Sequence, residues 1–444
     1  MIKILIIRHS TPDVRNYSSI LFENLLQVLK NRTKLHLTWF VYLPEKLKLY
    51  PRDEPDTTIL DIHDFENAVG VIQREKPDII YALIGPSVID YAFVLAAQFF
   101  NIPIICGELD ILTFYKRSSK KEIFRLYLTQ LFQNKLPIDT DLNQKRFMKR
   151  FRFFVYKHLF LLRTLQSIKM SRLKIFGKFF LLLRFYLVFD TKMVIEKSSP
   201  ASLHFLYNDT SIEPLIKIGF ERSSLVVTGD PTYDNLFRRL QQFRPSVRND
   251  DKIHVLIVTS NPNDPGGRWR KKLRDMWLKS IVMEITKHKD TVSLAVKIHP
   301  TGESLSEYHL IVNTIDPDIP VYQKGDIIDF LTDTDVVIGS TTSTALVCAL
   351  IAKKPIIIWN FANVEGDAML ECGLVLECKE QSSLIPSIHQ ILSSNPASPE
   401  KVEKFIHKYL YKSDGRATER IADAIMELLK RTKNVKDVSN QSTN

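Results

Sequence analysis

Asp335-Val-Val-Ile-Gly-Ser-Thr-Thr-Ser-Thr-Ala-Leu-Val-Cys-Ala-Leu-Ile-Ala-Lys-Lys-Pro-Ile-Ile-Ile-Trp359 decides the fold. Val336–Ile338 is a short apolar run, as expected of a buried strand. Gly339 and the hydroxyl residues after it interrupt that run. Ser343–Ala352 then reads as a helix, and Pro355–Trp359 as a second buried strand. A strand, a helix and a strand in so short a stretch predict a parallel βαβ unit.

The same alternation extends outward in both directions. Ile253–Val258 and Val292–Ile298 read as strands around a long helix, Arg268–His288. Leu305–Asn313, Val321, Asp326–Leu331, Leu374–Leu376 and Ser382–Leu392 continue the series. Near the start, strands at Ile2–Ile7, Leu35–Tyr42, Asp78–Ile84 and Pro103–Cys106 alternate with helices at Ser19–Lys30, Glu66–Glu75 and Ile89–Phe100. Lys192–Glu196 and Ser202–Leu206 read as short strands and Leu225–Thr228 as a clearer one. The fold class expected is α/β: two doubly wound Rossmann-like domains facing across a cleft, with ligands at the carboxyl ends of the strands.

The expected division is an N-terminal domain over 1–242, a polar linker over 243–251 and a C-terminal domain over 252–398. Helices over 399–432 cross back to the first domain, and 433–444 form a disordered tail. At 444 residues the chain is long enough for two or three domains. With 45% hydrophobic and 25% charged residues, and only 14 Gly and 21 Pro, disordered, collagen-like and low-complexity classes are excluded. The 4 cysteines have no CxxC spacing, which fits a reducing compartment and gives no zinc site. Ile2–Ile7 reads as a first strand and not as a secretory signal, because Arg8 follows with no small-residue cleavage site.

The net charge of +11 is not spread evenly. Residues 116–192 carry 19 Lys and Arg against 4 Asp and Glu, which leaves the rest of the chain slightly acidic. This stretch also holds 15 aromatics, mostly Phe. The segment 115–192 is therefore expected as a basic, aromatic-rich helical insertion in the first domain. Cations interleaved with Phe and Leu suit an anionic membrane surface. The same pattern also suits helices that simply pack on the body. Nucleic acid is not expected as a partner, since no known binding signature occurs and the Leu content is too high for a stacking groove.

Three groups of residues carry candidate chemistry. Gly339, Ser340, Thr341, Thr342, Ser343 and Thr344 lie where a strand runs into a helix, and a helix N-terminus with hydroxyl donors suits a diphosphate. An ordinary N-cap by Ser343 or Thr342 would use the same residues. Lys297 and His299, in Val296-Lys-Ile-His-Pro300, lie at another strand end, and either can donate to phosphate. A loop-bonded His is the plain alternative. In the first domain, Glu108 and Asp110 follow a strand and are candidate general bases. His9 and Ser10 follow the first strand, and Gly266, Gly267 and Arg268 lie in the first loop of the second domain, as further cleft candidates. None of the common nucleotide-loop, hydrolase or metalloprotease motifs occurs.

Three short segments resemble the GT-B superfamily, and within it the UDP-N-acetylglucosamine 2-epimerases and capsule-type glycosyl and polyol-phosphate transferases. Val226-Val-Thr-Gly-Asp-Pro-Thr-Tyr-Asp-Asn235 is similar to their "VTGNPVxD" segment. Lys297-Ile-His-Pro300 resembles their "HP" motif. Asp335 to Thr344, with Lys354-Pro355, resembles "DxxIxxSS…KP". The resemblance implies that His299 and Ser340–Thr344 contact the phosphates of a nucleotide donor. The epimerases' paired Glu after the Ser turn falls near Val347 and Cys348 here, so Glu365 or Asp367 is expected to take the donor's ribose or base. Pro86 replaces the Asp of their "GD", and their "HxExGxR" is only partly echoed around Glu108.

The missing acids weigh against epimerisation. The expected function is therefore a GT-B glycosyltransferase for surface glycan synthesis, moving a sugar from a nucleotide-activated donor to a membrane-linked, lipid-linked or glycan acceptor. It is expected in the cytoplasm, peripheral at the inner face of the cell membrane. His299 and the turn stabilise the leaving phosphate, so no metal and no cofactor is called for. The alternatives are transfer of a CDP-activated polyol phosphate, and an epimerase-like reaction on UDP-N-acetylglucosamine.

Overall fold

The computed structural model describes residues 1–8, 17–30, 32–42, 53–54, 56–82, 87–107, 140–188, 192–198, 200–246, 250–259, 271–300, 303–360 and 366–441. The chain forms two compact units, Met1–Thr232 with Arg416–Asn444, and Tyr233–Gly415. Each is a sheet covered by helices on both faces, which is the expected fold class.

In the first unit the strands are β1 (Ile2–Arg8), β2 (Leu35–Val41), β3 (Asp53–Glu54), β4 (Thr57–Asp61), β5 (Ile79–Tyr81), β6 (Ile104–Cys106), β7 (Leu203–Leu206) and β8 (Leu225–Val227). Their order across the sheet is β3-β4-β2-β1-β5-β6-β7-β8. Among the described residues only the edge strand β3 runs antiparallel, against β4. Leaving it aside, the order reverses beside the first strand, between β1 and β5, as in a dinucleotide-binding sheet. One face is covered by α1 (Tyr17–Leu29), the other by α2 (Ala68–Glu75) and α3 (Val88–Phe99).

The basic segment is helical where it is described. It forms α4 (Thr140–Ser167) and α5 (Arg172–Val188). Phe160, Leu161 and Leu165 of α4 and Leu182 and Phe185 of α5 are buried in the core on the α2–α3 face. Residues 115–139 lie outside the described residues. The stretch expected as a strand at Lys192–Glu196 is a helix instead, α6 (Lys192–Ser198). Its Val and Ile suggest a strand, but Met193, Val194 and Lys197 are the buried positions, a helical spacing. A short helix, α7 (Ile212–Lys217), precedes β8.

The second unit begins with α8 (Asp234–Gln241), then β9 (Ile253–Val258), α9 (Lys271–Thr286), β10 (Val292–Lys297), α10 (Leu305–Asn313), β11 (Val321–Tyr322), α11 (Ile327–Thr332) and β12 (Val336–Gly339). It continues with α12 (Thr344–Ile351), β13 (Ile356–Trp359), α13 (Ala368–Glu371), β14 (Leu376–Cys378), α14 (Leu384–Ser393) and α15 (Pro399–Leu410). The order β11-β10-β9-β12-β13-β14 again reverses beside the unit's first strand, between β9 and β12. Every pairing in this sheet is parallel.

The unit boundaries differ from those expected. Helix α8 belongs to the second unit, where Phe237 and Leu240 join a core with Leu331, Leu346 and Phe405. Arg239 of α8 pairs with Asp326 and Asp329 at the start of α11. Helix α15 stays in the second unit as well. The chain turns at Gly415, whose φ of +67° places it in the left-handed region, and a Cβ there would stand 2.8 Å from the Asp234 carbonyl oxygen. Only the last helix, α16 (Ala417–Gln441), returns to the first unit. It buries Ile421, Ala422 and Ile425 against Leu21 and Leu25 of α1, and its backbone runs through most of the stretch expected as a disordered tail.

Candidate functional site

The carboxyl ends of β9, β10 and β12 meet at the strand-order reversal of the second unit. Thr259 follows β9, His299 follows β10, and Ser340 follows β12. These are adjacent strands of one sheet, so the residues come together from 81 positions apart in sequence without any loop rearrangement.

The loop bearing His299 is pinned by a carboxylate that the sequence did not single out. The main-chain N–H of His299 donates to Glu303 Oε2 at 2.7 Å and to Thr259 Oγ1 at 2.9 Å. The Thr259 hydroxyl donates to the same Glu303 oxygen at 2.6 Å. The buried Tyr308 hydroxyl donates to Glu303 Oε1. Burial, then the Glu303 carboxylate, holds the Tyr308 hydroxyl well above its ordinary pKa, so Tyr308 remains a donor. Arg274 lies 4.6 Å from the centre of the Tyr308 ring, closing the network on its far side. A local clue was present: an acid stands four residues after His299.

Lys297 is held by the loops around it. Its ammonium donates to the Gln323 carbonyl at 2.8 Å and the Ile298 carbonyl at 3.2 Å. Burial lowers the Lys297 pKa, partly offset by Asp326 and Glu303. Lys297 therefore ties the His299 loop to the β11 end.

The turn after β12 is also built from within. Thr341 Oγ1 donates to Asp367 Oδ2 at 2.9 Å, and the Thr342 N–H to the same oxygen at 2.6 Å. Thr342 Oγ1 donates to Asp367 Oδ1 at 2.9 Å. The N–H groups of Met369 and Leu370 reach that oxygen at 3.0 Å and 3.2 Å, so Asp367 caps α13 as well. Five donors on one buried carboxylate leave it no capacity for a ribose hydroxyl. The expected ribose or base role of Asp367 is corrected to that of the turn's anchor.

Ser343 is the N-cap of α12, its hydroxyl oxygen accepting from the Leu346 N–H. Thr344 opens the helix and is exposed, with its hydroxyl 3.2 Å from Tyr233 Oη. Gly339 is required by packing: a Cβ there would lie 2.8 Å from Leu346 Cδ1. The turn thus presents the start of a helix at the sheet end that also carries the His299 loop, with β9 between the two, while Thr341 and Thr342 point their hydroxyl protons at Asp367. Val347 and Cys348, which the resemblance sets against the epimerases' paired Glu, are buried in the core. Burial pushes the Cys348 thiol up to about 12.

In the first unit a buried charged cluster occupies the matching place. Arg8 ends β1, Tyr42 follows β2, Asp90 lies in the first turn of α3, Cys106 ends β6 and Lys197 lies in the last turn of α6. Arg8, Asp90, Cys106 and Lys197 are all fully or nearly fully buried. Burial lowers the Lys197 pKa, with Asp90 and then Cys106 opposing the shift. Burial also raises the Tyr42 hydroxyl, helped by Asp90, and pushes the Cys106 thiol up to about 12. These mutual effects join the five residues into one electrostatic neighbourhood. Sequence reading missed Asp90 and Lys197, although a charge in so apolar a helix as Val88–Phe99 was visible.

His9, Ser10, Glu108, Asp110, Gly266, Gly267, Arg268 and Glu365 lie outside the described residues. Among the described residues, no group of three or more His, Cys, Asp or Glu is placed to hold a metal ion.

No protein-family model and no curated protein sequence matches the chain. Solved structures do. A protein from Listeria monocytogenes assigned as a UDP-N-acetylglucosamine 2-epimerase is similar at 15% identity, with 97% of each chain covered and a TM-score of 0.51. The fold is GT-B. At 13% identity, the UDP-N-acetylglucosamine 2-epimerase of Neisseria meningitidis, solved with its UDP-sugar, covers 96% of this chain and 100% of its own, with a TM-score of 0.49. Anabaena HepE, solved with UDP and glucose, matches at 12% identity over 96% of this chain and 100% of its own, with a TM-score of 0.47.

Proposed function

We propose that this GT-B chain is a nucleotide-sugar enzyme whose second unit holds the nucleotide diphosphate at the reversal between β9 and β12. One observation supports the reading: the pinned His299 loop, after β10, and the Asp367-anchored turn, after β12, flank β9 at the carboxyl end of one sheet. A helix start and an imidazole at the same end of one sheet suit the charge that builds on a leaving nucleotide. His299 and the start of α12 hold the phosphates. Ser340 and Ser343 line the same turn. Glu108 or Asp110 serves as the base in the first unit.

Two sugar chemistries use such a site. The names of the similar structures favour an epimerase-like reaction on a UDP-sugar. The chain's own residues favour transfer, since Val347 and Cys348 replace the epimerases' acids and Asp367 is spent on its turn. Transfer would deliver the sugar to a lipid-linked or glycan acceptor at the inner face of the membrane. A CDP-polyol phosphate donor would meet the same phosphate site.

Product analysis after incubation with UDP-N-acetylglucosamine separates them. A 2-epimer of the donor supports epimerisation, and free UDP that increases with a lipid acceptor supports transfer. If His299→Ala left both donor affinity and turnover unchanged, the phosphate assignment would fail.

A further inference from the structure

Helix α5 carries apolar residues well beyond the side that meets the core. Leu182 and Phe185 are buried, and Ile175, Phe179 and Tyr186 pack partly against the same core. On the other side Leu173, Phe176, Phe180, Leu183 and Leu187 are exposed by 81%, 69%, 47%, 50% and 66%. They recur at alternating intervals of three and four residues, so they form one stripe along the helix. Such a stripe is larger than scattered surface residues explain.

The helix is fixed in this orientation. Lys178 pairs with Glu196 of α6, which accepts from the Tyr91 hydroxyl of α3 at 2.8 Å. The stripe therefore belongs to a docked helix and not to a loose arm.

The charge around it selects the occupant. Residues 151–188 hold eight Lys and Arg and no Asp or Glu. A second copy seated on the stripe would oppose like charges, whereas an anionic lipid surface would complement them. Arg184 lies 5.9 Å from the centre of the Phe180 ring, which sets a cation beside the stripe. Among the described residues no helix is long and apolar enough to cross a membrane.

We propose that the Leu173–Leu187 stripe of α5 docks the protein in the headgroup layer of an anionic phospholipid membrane, lying along it. This deepens the lipid-linked-acceptor reading above and rests on it for its purpose, though not for its geometry.

Flotation with phosphatidylcholine vesicles, with and without phosphatidylglycerol, tests the surface. The full chain should partition onto the anionic vesicles, and F176S/F180S/L183S should lower that partition about tenfold or more. R172Q/K174Q keeps the stripe and should lower binding to anionic vesicles by about fivefold for each charge removed. Circular dichroism and a UDP thermal-shift measurement on the same variants check that they remain folded. Equal flotation of wild type and the triple variant would overturn the proposal. So would a lipid-free dimer that the triple variant dissolves, or retention by polynucleotide in place of vesicles. Flotation without any UDP response would sink the nucleotide-sugar reading alone, and a UDP response without flotation would sink the docking surface alone.

Discussion

The Asp367 carboxylate accepts from the Thr342 main-chain N–H at 2.6 Å and from the Thr342 hydroxyl at 2.9 Å. This one residue shapes the turn after β12 and caps the helix that follows it. Asp367→Ala strands several buried donors at once. It should cost about 2–3 kcal/mol in urea denaturation and weaken nucleotide binding with it. Stability unchanged within error would mean that the turn holds itself.

Glu303 plays the corresponding part for His299. Glu303→Ala leaves the His299 N–H and the Thr259 and Tyr308 hydroxyls without their shared acceptor. Tyr308→Phe removes a single donor and should cost about 1 kcal/mol, while Glu303→Ala should cost about 2–3 kcal/mol. Calorimetric titration with UDP should show the larger loss of affinity for Glu303→Ala. Equal effects of the two variants would place the pinning elsewhere.

Close packing sets Gly339. Its absent Cβ would meet Leu346, a side chain with 0% exposure and little room to move. Gly339→Ala should destabilise by about 1–3 kcal/mol. In G339A/L346A the loss should be smaller than the sum of the two single losses, by about 0.5 kcal/mol or more. Strict additivity would show that the contact is not the cause.

The buried Asp90 and Lys197 predict a pH signature. Burial holds Lys197 below the ordinary lysine value of 10.5. The unfolded chain keeps this proton up to that value, whereas the folded chain releases it earlier. This group's contribution to stability is therefore complete above 10.5 and is lost as pH falls through the lowered folded value. Urea denaturation across the alkaline range should show stability rising with pH more steeply in wild type than in Lys197→Met. Lys197→Met removes one of the two buried cations grouped with Asp90, and D90N/K197M should cost less than the two single variants together. Parallel pH curves for wild type and Lys197→Met would contradict the assignment.

What the sequence revealed was local. The apolar run, polar turn and apolar helix from Val336 to Ile351 could be read because burial dictates each step. The His299 loop was legible for the same reason. What stayed hidden depends on contacts distant in sequence. Asp367 looks like a free acid in a loop until its 25-residue reach to Thr342 is seen. The bond from the Lys297 ammonium to the Gln323 carbonyl, 26 residues on, was equally out of sight. The strand β4 went unseen because Thr57 and Thr58 dilute its apolar signal. Helix α8 was assigned to the wrong unit because its partners, Asp326 and Asp329, lie some 90 residues away.

A thermal-shift panel of UDP, GDP, CDP, CMP and dTDP, set against the matching free nucleosides, tests the phosphate site most directly. One nucleoside diphosphate should raise the melting temperature in a concentration-dependent way. Its nucleoside should do so about tenfold less effectively, and His299→Ala should remove most of the difference. A flat response across the whole panel, or a response that His299→Ala leaves intact, would contradict the account.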